Sequence, residues 1–370
     1  MKTLFFNNDE LKLLEQEIVN GYVSKRKHPE FDLWIYNYTP KTQYEWHWNN
    51  ITEQCRGLIL DINYCLVAKG FNKFFTLEQL KNDNRSNEIP NNESFEITNK
   101  IDGSLGILYF YDDNKYISTR GSFESEMAVV ATEMLNNRYN HIVFYPEYSY
   151  LFEIIYPENR IVVDYGNVKE LVLIGVVNNL TGDEYSIYDS EFDYIEEQGL
   201  RRTELIISDK WETVLDTYID DHNMEGVVVH FLNSHYRVKL KLEWYKHISH
   251  IIQNLTKRGI WKKMREFGIK GDGCIEDILG DIPDELYPMV QGYVDELYMD
   301  YDRIMSRSVY LSNHVESLCV DEYGHGNYTD KEYYHMLTLH SDNDYISIVM
   351  MIHKGKDPFM NIWKMLKDIL

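Results

Sequence analysis

Short β-prone runs that carry ionisable side chains limit how this chain can fold more than any other feature. Residues 150–156 read Tyr-Leu-Phe-Glu-Ile-Ile-Tyr, 171–177 read Leu-Val-Leu-Ile-Gly-Val-Val, and 226–230 read Gly-Val-Val-Val-His. All three read as strands, and the apolar ones must be buried on both faces or nearly so. Glu153 sits inside the first run and Glu225 immediately heads the third. Residues 235–242 alternate strictly, which puts Lys239 and Lys241 on one face of a further strand. A charge embedded in an apolar strand is costly unless it is paired or bound to a ligand. For each charge alone, an ion pair is the simplest account.

The stretch Lys100-Ile101-Asp102-Gly103-Ser104 changes that balance. It lies between the strand-like runs 94–98 and 105–111, the second of which ends at the turn signal Asp112-Asp113-Asn114, so the pair reads as a hairpin. A lysine is thereby held on sheet backbone, with a glycine three residues on where main chain can approach a ligand closely. Partly desolvated and close to other cations, such an amine loses its proton more easily and can attack phosphorus. Lys-x-Asp-Gly alone occurs by chance in roughly one chain in ten of this size, and a solvated lysine before a tight turn is the plain alternative. Taken together, a lysine nucleophile, cations for a phosphate and a carboxylate for a metal are what adenylyl transfer requires.

At 370 residues the expectation is two domains. The other segments fit that division. Residues 9–20 have Leu11, Leu14 and Ile18 at helical spacing; 31–38 and 56–61 read as strands; Lys73 stands among the aromatics of 69–75. Residues 81–92 read as a surface loop and 123–136 as a helix. From about 244 the pattern turns helical, at 261–267, 285–305 and 345–370. The expected fold class is α+β, a body of antiparallel sheets with flanking helices over 1–245 followed by an all-α domain over 246–370.

Composition excludes some roles. With 44% hydrophobic and 26% charged residues the chain is globular, and no apolar run approaches the ~20 residues needed to span a bilayer. The first residues lack the apolar region of a secretory signal, and the four cysteines form neither a CxxC pair nor a zinc spacing, so a reducing cytoplasm is expected. A formal charge of -23 argues against coating nucleic acid electrostatically, though not against gripping an end in a local basic site. Residues 237–265 hold nine Lys or Arg against Glu243, with Glu266 next in the chain.

The order of these elements resembles the covalent nucleotidyltransferases, the superfamily of ATP-dependent DNA ligases, RNA ligases and capping enzymes. Within it the chain is most similar to the RNA ligase 1 family of T-even-like bacteriophages, the tRNA-repair ligases. The likeness covers nearly the whole chain. It runs through Ile35-Tyr36-Asn37-Tyr38, Glu-Gln-Cys-Arg-Gly ending at Gly57, Asn72-Lys73-Phe74-Phe75, the Lys-x-Asp-Gly-Ser motif and Arg120-Gly121-Ser122. It continues at Phe152-Glu153, Asn159-Arg160-Ile161-Val162, Glu225-Gly226 and Lys239-Leu-Lys241-x-x-Trp244-Tyr245.

The resemblance implies that Lys100 becomes covalently attached to AMP. It implies that Asp102 and Gly103 shape the site beside the nucleotide, and that Glu153 contacts the ribose or supports the metal. Glu225 would bind a divalent cation, and Lys239 and Lys241 the α-phosphate. Arg56 and Lys73 would face the β- and γ-phosphates, with Arg120 near the phosphate side. Tyr36 and Tyr245 match positions near the nucleotide, a buried core tyrosine being the alternative for Tyr36, and Val228 would help sandwich adenine. A second metal site would involve Asp277, which equally reads as an ordinary helix residue. The implied co-substrate is ATP, with Mg²⁺ or Mn²⁺. The implied partner is RNA with 5′-phosphate and 3′-OH ends, such as nicked tRNA, with no membrane and no obligate protein partner, in a host cytoplasm if the chain is phage-encoded. A DNA ligase or capping enzyme would instead place a small β-barrel after the second lysine motif. A non-catalytic RNA-binding relative would have little reason to keep every charged position.

Overall fold

The computed structural model describes residues 4–267 and 286–369. The chain divides into two compact units, Met1–His247 and Ile248–Leu370.

The first unit carries the strands β1 (Val23–Lys27), β2 (Leu33–Tyr38), β3 (Arg56–Asp61), β4 (Leu66–Ala68), β5 (Phe75–Thr76), β6 (Phe95–Asn99) and β7 (Ser104–Tyr111). It continues with β8 (Asn114–Thr119), β9 (Tyr148–Ile155), β10 (Glu170–Asn178), β11 (Glu184–Tyr185), β12 (Leu205–Ile206), β13 (Gly226–Phe231) and β14 (Arg237–Lys241). They form three sheets with the orders β1-β2-β3-β4, β11-β10-β9-β7-β8 and β12-β6-β13-β14-β5. Every pairing is antiparallel except β14 with β5. The α+β class expected from the sequence is what the chain adopts.

The apolar runs occupy the sheet centres. β9 lies between β10 and β7 and is buried at seven of its eight positions, and β13 lies between β6 and β14. Leu108, Tyr150, Phe152, Leu171 and Leu173 pack in one core against the helix Glu126–Arg138, which Ser125 caps through a bond to the Ala128 amide. Leu33, Ile35, Ile59, Phe71, Ile107 and Leu151 join the first two sheets in another.

One expectation is corrected. β6 and β7 do not pair as a hairpin: β6 bonds to β12 and β13, whereas β7 bonds to β8 and β9. The segment from Lys100 to Gly103 is therefore a crossover between two sheets. Alternation identifies a strand, but its partners depend on which cores its two faces bury.

The second unit is helical. A helix spanning Tyr287–Tyr323 packs with Lys257–Phe267, Asp330–His340, Asn343–His353 and Phe359–Ile369. The helical pattern expected over 345–370 is met by two helices, separated at 354–358, where Gly355 takes a positive φ and Pro358 follows. Trp261 and Trp363 stack at 5.8 Å in a core with Val290, Val294, Leu297 and Ile348. Among the described residues no helix is long and apolar enough to cross a membrane.

Candidate functional site

A cavity of about 530 Å³ opens in the first unit where the three sheets converge. The Lys100 crossover forms one wall. The Lys100 amide donates to Gly226 O at 2.9 Å, which ties it to the start of β13. Its side chain reaches Glu225, Nζ lying 2.7 Å from one carboxylate oxygen, and Lys241 Nζ lies 2.9 Å from the other. Glu225 is 2% exposed. Burial alone would raise its pKa, but the two ammonium groups outweigh that and hold it below the ordinary carboxylate value.

Two glycines permit this convergence. At Gly226 a Cβ would stand 2.1 Å from Leu240 O, and at Gly103 it would stand 2.7 Å from Ile154 O. A side chain at either position would push the crossover or β14 away from its neighbour.

Glu153 faces the same cavity from the centre of the second sheet. Its pKa is pushed up to about 7, by burial first and by Glu225, against the opposing pull of Lys100 and Arg56. Lys100 itself departs from expectation. Burial lowers its affinity for a proton, but Glu225, Glu153 and Asp102 together outweigh burial and raise its pKa. In this state the amine holds its proton more tightly, so a nucleophilic role requires the carboxylates to be engaged elsewhere.

The depressed amines are its neighbours. Lys239 lies well below the ordinary lysine value because it is buried among Lys73, Lys100, Arg56 and Lys241. Lys73 is lowered to about 8 by burial, Arg56 and Arg120. It is boxed by the rings of Tyr38, Trp48 and Phe75 at 5.4, 5.1 and 5.0 Å. Arg120 donates to the Tyr38 hydroxyl at 2.8 Å.

Arg56 reaches the cavity through a β-bulge. Tyr36 pairs with Leu58 but Asn37 with Arg56, leaving Gly57 unmatched at φ +79°. Without the extra residue Arg56 would share the face of Leu58, which belongs to the core with Tyr36; the bulge turns it to the face of Asn37. A Cβ at Gly57 would meet Ile107 Cδ1 at 2.2 Å.

A family model described as RNA ligase matches residues 54–245, just over half of the chain. The chain belongs to this RNA ligase family. A protein of Autographa californica nuclear polyhedrosis virus, named as a bifunctional polynucleotide kinase/RNA ligase, is 29% identical over 185 residues, covering 44% of this chain. The match spans 26% of that relative's length. Among solved structures the chain is similar to an archaeal ATP-dependent RNA ligase at TM-score 0.46 and 12% identity, over 77% of this chain and 75% of that one. An ATP-dependent DNA ligase from Aquifex aeolicus is similar at TM-score 0.43 and 13% identity, over 80% and 81%.

In this RNA ligase-family chain the cavity brings together Arg56, Lys100, Gly103, Arg120, Glu153, Glu225, Val228, Lys239 and Lys241 from the residues singled out in the sequence. Lys73 stands behind that lining, near enough to act on Arg56 and Lys241 electrostatically. Tyr36 is placed elsewhere, 1% exposed in a core with Phe6, Leu14 and Leu58, because its face of β2 is the opposite one from Asn37. Asp102 is turned away as well. One of its oxygens accepts from the amides of Val162 and Val163, each at 2.8 Å, and the other accepts from the Tyr245 hydroxyl at 2.7 Å. These two residues thus brace the crossover from behind. Asp277 lies outside the described residues.

Two participants were missed. Arg237 lines the cavity with its guanidinium 4.1 Å from the Phe71 ring and 2.6 Å from Glu184. The alternation that joins Lys239 to Lys241 extends to Arg237 and was the available signal. Arg26, an exposed side chain, also belongs to the lining, and nothing in the sequence Val-Ser-Lys-Arg-Lys singles it out from Lys25 or Lys27. The basic run 237–265 is not one surface: Lys239 and Lys241 line the cavity, while Lys257 pairs with Glu296 and Asp300.

Among the described residues no three His, Cys, Asp or Glu side chains gather to hold a metal. Glu153 and Glu225 nevertheless fit Mg²⁺ or Mn²⁺ chemistry, because such ions are commonly bound by one or two carboxylates together with substrate phosphates and water.

Proposed function

We propose that the chain is an ATP-dependent RNA ligase that works through a lysyl-AMP intermediate on Lys100. The observation that carries this reading is the contact of Lys100 with Glu225 inside a cavity that also holds Lys239, Lys241 and Arg56. A polyphosphate entering there gives the cations a partner. Lys239 and Lys241 hold the α-phosphate, and Arg56 and Lys73 hold the outer phosphates.

As Lys241 turns to phosphate, Glu225 is released from one of its two ammonium partners. Glu225 and Glu153 are the residues that would hold a divalent ion, which when bound neutralises phosphate charge during in-line transfer. The Lys100 amine, no longer paired with Glu225, gives up its proton to solvent and attacks the α-phosphorus. A P–N bond forms, the bond to the β-phosphate oxygen breaks, and pyrophosphate leaves. AMP then passes to an RNA 5′-phosphate, and an RNA 3′-hydroxyl displaces it to close the phosphodiester. Val228 packs against the adenine, and Asp102 and Tyr245 keep the crossover in place.

The body 1–245 is the adenylyltransferase on this reading, and 246–370 selects the RNA, a broken tRNA being the favoured substrate. Trp261 takes no part in RNA contact, because it is 3% exposed within the helical core, whereas Lys262, Lys263 and Arg265 are exposed on the same helix.

The test mixes purified protein, Mg²⁺ and ATP labelled at the α-phosphate, then denatures the chain. Label stays on the wild type and is absent from Lys100→Ala, and GTP does not substitute. Absence of label from folded protein that is not already adenylylated would exclude the catalytic reading and leave an RNA-binding relative.

A further inference from the structure

The stretch Asn159-Arg160-Ile161-Val162 belongs to the likeness with the phage ligases, yet no step of the proposed reaction uses it. It lies in the loop that follows β9, the strand that carries Glu153. Pro157–Asn159 makes a 3-10 turn, and the Asn159 amide donates to Tyr156 O at 2.9 Å. Beyond it Val162 and Val163 are buried, and Arg160 Nη1 lies 2.7 Å from an Asp164 oxygen. A loop anchored by two buried valines holds its polar groups at fixed positions.

That loop grips the Lys100 crossover on both sides of Gly103. On one side the Asp102 amide donates to the Tyr165 hydroxyl at 2.9 Å, while the Asp102 carboxylate accepts from Val162 and Val163. On the other side Ser104 Oγ donates to Asn159 Oδ1 at 3.0 Å. Asn159 Nδ2 in turn donates at 2.9 Å to Ile154 O, the carbonyl that leaves Gly103 no room for a side chain. Ser104 and Ile154 are paired across β7 and β9. One side-chain amide thus spans the two strands where the crossover enters the sheet.

The direction of these bonds is fixed. Ile154 O can only accept, so the Asn159 NH₂ faces it and Oδ1 faces Ser104. The Ser104 hydroxyl then spends its single proton on Asn159. Ser104 lines the large cavity. Asn159 lies instead in a smaller cavity of about 210 Å³ behind the crossover, with Asp102 and Tyr165. What Ser104 offers the large cavity is therefore lone pairs, which accept from an ammonium, a hydroxyl or water but give nothing to a phosphate oxygen.

We propose that Asn159 is a positioning residue for lysyl-AMP formation, acting through Ser104, which it holds as a hydrogen-bond acceptor toward the cavity. The assignment rests on the ligase reading for the reaction it serves. An asparagine that only satisfied Ile154 O would serve the fold alone, and the effect of losing it would not depend on Ser104.

Single-turnover lysyl-AMP formation at saturating labelled ATP tests this in wild type, Asn159→Ala, Ser104→Ala and the double variant, with thermal melts to confirm folding. Each single variant slows the step by about ten-fold. The double variant is within about two-fold of Ser104→Ala, because the two residues act as one unit. Multiplied losses, about 100-fold in the double variant, would overturn the assignment, as would Asn159→Ala within about two-fold of wild type. If Asn159→Ala does not fold, Asn159→Asp takes its place, since it keeps the acceptor for Ser104 and gives up only the donor to Ile154 O. Its rate still falls when Ser104 is replaced by alanine, and a rate indifferent to Ser104 would overturn the assignment. Failure of wild type to form lysyl-AMP would refute the ligase reading and this role with it, whereas a wild type that labels normally leaves the four rates to decide the role alone.

Discussion

Lys100 Nζ and the Glu225 carboxylate meet at 2.7 Å across 125 positions of sequence, and Lys241 completes the pair from the other side. The contact holds the Lys100 amine in its protonated form. Glu225→Gln leaves two ammonium groups beside a neutral amide in a mostly buried site. Unfolding free energy at pH 7 is expected to fall by about 3 kcal/mol, read from urea denaturation. The raised Lys100 pKa contributes stability below the unfolded lysine value and loses it above, while the lowered Glu225 pKa contributes stability above the unfolded carboxylate value. The difference between variant and wild type is therefore full at neutral pH and shrinks toward both extremes. Equal stability of the two proteins at pH 7 would contradict the pairing.

Glu153 behaves in the opposite sense. Its folded pKa of about 7 exceeds the unfolded value, so the stability it contributes is present below the unfolded pKa and lost as pH rises through 7. Glu153→Gln is expected to be more stable than wild type above pH 7, by about 3 kcal/mol at most. The advantage should shrink as pH falls from 7 toward the ordinary carboxylate value. A pH series of unfolding curves checks this, and a gap that does not vary with pH would refute it.

Burying several cations with too few anions costs stability that bound phosphate restores. Lys239→Met is expected to raise the melting midpoint of the ligand-free protein while reducing lysyl-AMP formation by about 100-fold or more. Thermal melts and the labelling assay are read side by side. A variant that is both less stable and fully active would refute the prediction.

Because Asp102 faces away from the cavity, its loss should act on positioning. Asp102→Ala leaves two amides and the Tyr245 hydroxyl without their acceptor, a loss of about 3 kcal/mol. Tyr245→Phe alone costs about 1–2 kcal/mol, and the double variant costs less than the sum. Adenylylation slows at saturating ATP with little change in KM. A large rise in KM with normal stability would place Asp102 at the nucleotide instead.

Strand identity was legible wherever one side of the pattern was constrained. The alternation at 235–242 put Lys239 and Lys241 on one face, and both stand there in β14 beside Arg237. The apolar runs marked the sheet centres for the same reason, since a strand covered on both faces cannot carry polar residues cheaply. Pairing was not legible. The run before Lys100 alternates and the run after it is strongly β-prone, as the arms of a hairpin would be, yet they bury their faces in separate sheets. The helical pattern at the end of the chain likewise left open how Gly355 and Pro358 divide it into two helices.

The chemistry divides along the same line. Residue types and their two-residue spacing were enough to gather carboxylates and lysines into one candidate site, because period and cost of burial are local properties of a strand. The direction in which each group titrates is not local. Lys100 is raised and Lys239 lowered although both are half-buried lysines, because Glu225 and Glu153 face the first while Lys73 and Arg56 crowd the second. Arg56 points into the cavity because Gly57 bulges against Ile107, and Tyr36 points away from it into the core because it pairs with Leu58 across the bulge. These outcomes depend on which backbones approach each other across three sheets, and only the folded arrangement sets that.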